Sequence, residues 1–153
     1  MTTELRSIGD KIAVARAAAN TAVTAGGGGD DTEVVGVILD RAALGWPESA
    51  VFAVPYTAAL AATETLQIGY TIASGNASNL SDAATLKTAA KATVATGGAG
   101  GSTETGVFEV NVSLRGAGRY VRANWTPDLS RANTDTAALS AVMVLAGAKR
   151  LPA

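Results

Sequence analysis

The 153-residue chain contains no histidine and no cysteine, so whatever chemistry it does must come from other groups. Histidine is the usual acid–base group near neutral pH and the commonest metal ligand, while cysteine supplies thiolate nucleophiles and soft metal sites. What remains is a handful of carboxylates and two glycine-rich runs. Asp30, Asp31 and Glu33 sit close together, as do Asp128 and Asp135. A calcium loop presents oxygen ligands at regular spacing, and Asp-Asp-Thr-Glu lacks that comb, so a solvated loop is the default reading. Spacing alone does not exclude a catalytic carboxylate pair, but nothing around these residues suggests a pocket. Gly26–Gly29 and Gly97–Thr103 could suggest phosphate cradles, yet neither supplies the Gly-Lys-Ser/Thr that opens a helix. Flexible loops are expected there instead. The chemistry-bearing residues therefore predict no enzyme, no cofactor and no metal.

Charge narrows the partners. The formal net charge is −1, without the basic surplus of a nucleic-acid binder, so no nucleic acid is expected. No run of about 18 apolar residues appears, and Arg6, Lys11 and Arg16 interrupt the apolar positions near the start. Neither a membrane nor a secretory signal is expected. Arg115, Arg119, Arg122 and Arg131 gather four of the twelve basic residues into one stretch. They read either as a solvated strand face pairing with Asp128 or Asp135, or as a subunit or partner contact, since arginine's planar fork suits interfaces.

The elements that must position these groups are strands. In 65–72, Leu66, Ile68, Tyr70 and Ile72 fall on one face; in 107–114, Phe108, Val110, Val112 and Leu114 do; in 119–125, Val121, Ala123 and Trp125 do. Further strands are expected at 33–40, 50–56 and 136–146. The first is almost continuously apolar, as in a strand covered on both faces. Pro55 predicts an edge or an end, and 126–128 (Thr-Pro-Asp) predicts a turn. The short Gly116–Gly118 connection predicts that 107–114 and 119–125 form an antiparallel hairpin. Residues 7–20 suit either helix or an extended arm, and 85–96 leans toward strand at Thr93-Val94. Expected large core residues are Trp46, Phe52, Leu66, Tyr70, Phe108, Tyr120 and Trp125. The fold expected is all-β: an antiparallel, jelly-roll-like β-sandwich over 30–153, preceded by an N-terminal arm and glycine hinge over 1–29.

Arg119-Tyr120-Val121-Arg122, Thr126-Pro127-Asp128-Leu129-Ser130 and Thr134-Asp135-Thr136 before a final apolar strand resemble the decoration, or cement, proteins of tailed-phage capsids. Ile38–Arg41, Ala62–Ile68 and Glu104–Leu114 are similar too. The resemblance implies a virion protein without catalytic residues, made in the host cytoplasm, that stabilises the head exterior by bridging neighbouring copies of the major capsid protein. It also implies a homo-oligomer, with a trimer favoured. Arg41, Trp46, Arg119 and Arg122 are then the candidate partner contacts, because arginine and tryptophan are enriched among binding hot spots. The alternative is a jelly-roll carbohydrate- or receptor-binding module of a phage particle.

Overall fold

Eight strands build two four-stranded antiparallel sheets, with a single turn of 3-10 helix at Ile8–Asp10 and no α-helix among the described residues. The computed structural model describes residues 8–130 and 134–148. The strands are β1 (Ile12–Thr24), β2 (Leu39–Asp40), β3 (Ser49–Leu60), β4 (Thr65–Gly75), β5 (Ala84–Thr96), β6 (Ser102–Ser113), β7 (Tyr120–Leu129) and β8 (Thr136–Ala146). The first sheet runs β1-β8-β3-β6 and the second β2-β7-β4-β5. Only β4 and β5 follow each other within one sheet; every other connection crosses between sheets. Eight strands wound this way form the expected jelly-roll sandwich.

The expected faces are found. Val110, Val112, Leu114, Val121, Ala123, Trp125, Leu66, Ile68 and Ile72 are buried between the sheets, against Phe52, Val54, Met143 and Leu145. Tyr70 and Phe108 are half-buried, with ring centroids 5.9 Å apart. Tyr120 and Trp46 are not core residues. Tyr120 points outward from β7, and Trp46 sits half-exposed in a loop.

Several expectations are corrected. β6 and β7 do not form a hairpin: β6 pairs with β3, and β7 with β2 and β4. Both strands bury one face, so a tight turn that passes between sheets serves them as well as one that pairs them. Gly116 supplies the left-handed conformation for that passage (φ 75°), and Gly118 packs against the backbone of Gly75. β3 is central and continues through Pro55. Its pairing with β8 skips Val54 and Pro55, where the imide nitrogen has no proton to donate, while pairing with β6 is unbroken. Thr126-Pro127-Asp128 lies inside β7 rather than in a turn.

Residues 12–24 are not an arm apart from the sandwich. β1 pairs with β8 from Ile12↔Ala146 to Thr24↔Thr136, and Ala17, Ala18 and Val23 are buried. Small side chains let this edge strand close over the core, an outcome that alanine's helix propensity obscures. The tetraglycine after it is hydrogen-bonded. Gly27 N–H donates to Thr24 O (2.8 Å), and Asp30 accepts from Gly26 N–H (2.6 Å) and Leu129 N–H (2.8 Å).

Residues 33–40 are not a strand covered on both faces either. Val34 bridges Trp125, only Leu39–Asp40 joins a sheet, and Val35 and Val37 are exposed. The segment instead straddles the open side of the sandwich, with Val37 N–H donating to Ala17 O in β1 (2.7 Å). Gly36 makes this crossing possible. A Cβ there would overlap the Ala123 carbonyl oxygen and stand 2.9 Å from that of Ala17. Gly36→Ala is expected to cost about 1–3 kcal/mol, read as a lower urea midpoint at unchanged slope.

Candidate functional site

Three of the four candidate contact residues meet at one end of the sandwich. The turn after β2 places Gly45 (φ 80°) and Trp46 (φ 59°) in the left-handed region, and Trp46 N–H donates to Arg41 O (2.7 Å). A bulky residue in that conformation is held there by its surroundings. Here the holder is Arg41, 5% exposed, whose guanidinium lies 5.5 Å from the Trp46 ring centroid. Arg41 donates to the carbonyls of Ala117 (2.5 Å), Gly118 (2.9 Å) and Pro47 (2.7 Å), so it ties the turn to the passage between β6 and β7. Burial pulls its pKa below the ordinary guanidinium value. Arg41 therefore lies beneath the surface, where it supports the two loops it joins.

Arg119 is on that surface. It clamps Asp40 through Nε (2.9 Å) and Nη2 (2.8 Å) and lies 5.2 Å from the Tyr120 ring centroid. The hydrogen bond from Arg119 holds the Asp40 carboxyl below the ordinary carboxylate range, with further help from Ala42 N–H. Arg122 stands two residues along β7 on the outer face of the second sheet. Arg115 pairs at 3.5 Å with Glu48, and Arg131 lies outside the described residues.

The outer face of the second sheet is polar. Lys91 reaches from the edge strand β5 across Gly69 to Asp128 and Asp31, both at 2.7 Å. The hydrogen bonds that it donates to Asp128 and Asp31 hold its ammonium above its ordinary pKa. Asn124 donates to Glu33 (3.2 Å). The carboxylates grouped in the sequence thus turn to separate partners: Asp30 to backbone N–H groups, Asp31 and Asp128 to Lys91, Glu33 to Asn124. Asp135 is buried and accepts from Ala61 N–H (2.9 Å). Among the described residues no three metal-ligating side chains converge.

The outer face of the first sheet is the surface that sequence reasoning missed. Its centre carries Val14, Val144 and Val51 in one row, Val142 and Ala53 in the next, then Pro55 and Val107. Val14 is 64% exposed and Val107 52%. The signal was present in the sequence: 141–146 and 50–55 are apolar at consecutive positions, the pattern of strands covered on both faces. Two shallow depressions mark this face. One, of about 470 Å³, adjoins Asn20, Pro55 and Ser140; the other, of about 550 Å³, adjoins Val51, Asn111 and Val144.

No protein family and no curated protein matches the chain. Among solved structures it is similar to that of the infectious bursal disease virus Gx strain, at 12% identity and TM-score 0.44. It is also similar to T=1 particles derived from infectious bursal virus, at 13% and 0.46, and to the infectious bursal disease virus VP2 subviral particle, at 12% and 0.45. Each likeness covers 93% of this chain and 33–34% of the other, so the chain spans about a third of the length of those viral chains. Likenesses at these scores decide nothing further about it.

Proposed function

We propose that the chain is a structural protein of a virus particle that decorates the head exterior and bridges neighbouring major capsid subunits. The observation that carries this reading is the corner where Arg119, Tyr120 and Trp46 are held in fixed geometry by Asp40 and the buried Arg41. Arginine, tyrosine and tryptophan dominate interface hot spots, and side chains already ordered before binding lose less entropy on contact. Trp46, Arg119 and Arg122 are the shell contacts; Arg41 acts through the two loops it joins. The resemblance around Arg119–Thr136 to phage decoration proteins points the same way.

The test is co-sedimentation with phage heads stripped of the protein. The chain is expected to bind them and to raise the temperature at which they lose integrity. Arg119→Ala, which removes about 2 kcal/mol from a hot-spot contact, is expected to weaken binding about 30-fold. Heads that neither bind the chain nor change their melting overturn the proposal. Binding of the chain to a glycan array in that case would favour the carbohydrate-binding alternative.

A further inference from the structure

We propose that the apolar outer face of the first sheet packs against the same face of a second copy of this chain, about a two-fold axis parallel to the strands. The strands of that sheet carry three charged residues, Arg16, Glu104 and Glu109. Arg16 and Glu109 lie on the outer face, and they end a single row. Arg16 pairs in register with Val142, Val142 with Ala53, and Ala53 with Glu109. One charge is thus on the β1 edge and its opposite on the β6 edge.

A two-fold parallel to the strands lays β1 of one copy over β6 of the other. It sets Arg16 over Glu109 twice, once on each side of an uncharged centre. A two-fold perpendicular to the strands would bring Arg16 toward Arg16 and Glu109 toward Glu109, which like-charge repulsion disfavours. The parallel axis also lays Val107, which projects from β6, over the partner's β1 at its irregularity between Ala18 and Thr21, where the 470 Å³ depression opens. The side chains between are alanine, valine and proline with Ser140, short enough for two sheets to approach to about 10 Å.

The area suffices. Four strands about 4.8 Å apart, each contributing about ten residues of ~3.3 Å, present on the order of 600 Å² per copy, about 1,200 Å² in all, the lower edge of stable specific interfaces. A face that matches itself about a two-fold makes pairs rather than the trimers that the phage resemblance implies.

Sedimentation of the full chain at about 10 μM tests this. The expected species has twice the 15.2 kDa mass of the chain. Val144→Lys, an outward substitution at the centre of the face, is expected to leave a folded monomer. Arg16→Glu and Glu109→Arg are each expected to weaken pairing on the order of tenfold, and the two together to restore it. Both positions are exposed, so these variants report on pairing even where the lysine variant unfolds. A monomer or trimer of the unaltered chain, a dimer unaffected by a folded Val144→Lys, or a double reversal that restores nothing overturns the proposal. A monomer that still binds heads would leave the shell-binding role intact and remove only the pairing.

Discussion

Trp125→Ala is expected to destabilise the chain by about 3–5 kcal/mol, the range for removing a large aromatic from a packed core. Trp125 is 1% exposed and is the largest fully buried side chain. It faces inward from β7 opposite Tyr70 of β4, and its backbone exchanges hydrogen bonds with Val34 at 2.7 and 3.2 Å. Truncation would open a cavity beneath the 31–40 segment as well as between the sheets. The indole nitrogen has no hydrogen-bond partner among the described residues. Trp125→Phe therefore removes a buried donor as well as volume, and is expected to lose less than half as much. Urea unfolding measures both; a loss below about 1 kcal/mol for the alanine variant would show that the sandwich collapses around the missing ring.

Arg41→Met is the second large effect, an expected loss of about 3–5 kcal/mol, since three carbonyl acceptors go unmet at about 1–3 kcal/mol each, offset in part because a charge is no longer buried. Methionine preserves much of the buried stem, so the loss reports on the guanidinium. The carbonyls of Ala117, Gly118 and Pro47 would each lose their charged donor. Leaving buried acceptors unmet costs more than a hydrogen bond gains. Lysine cannot repair this, because one ammonium does not span the three carbonyls as the planar fork does. Arg41→Lys is expected to recover under half the loss. The melting temperature checks both variants, and a shift of less than 2 °C for Arg41→Met would show that the turn and the passage between β6 and β7 hold without the clamp.

Alternation made the faces of β4, β6 and β7 legible, because a residue's side of a sheet follows from period two whatever its neighbour is. Pairing was not legible. The same Phe108–Leu114 and Val121–Trp125 faces serve a hairpin or opposed sheets equally, and the choice depends on where β3 and β4 lie. Pro55 and Pro127 misled for a related reason. A proline is excluded only from the side where a neighbour needs its N–H, and both sit where that ladder is interrupted or sparse. At the candidate site, Arg119 and Trp46 were visible by residue type. Arg41 was equally visible, but its burial follows from a turn and a crossing that meet only in three dimensions. The apolar runs of β3 and β8 carry the same two-sided pattern as 33–40, and residue type alone does not say which of the three lies within a sheet.

The pairing of β1 with β8 has a kinetic consequence. Each supplies the other with a neighbour from the far end of the described chain, and β3 has no partner on its β8 side until then. The β4–β5 hairpin closes locally and early, whereas the first sheet waits for the most distant contact in the molecule. Loop closure over such separations places folding in the millisecond-to-second range. During that interval the edges of β1 and β3 stand open together, and at high synthesis rates each can capture a β8 that belongs to another chain.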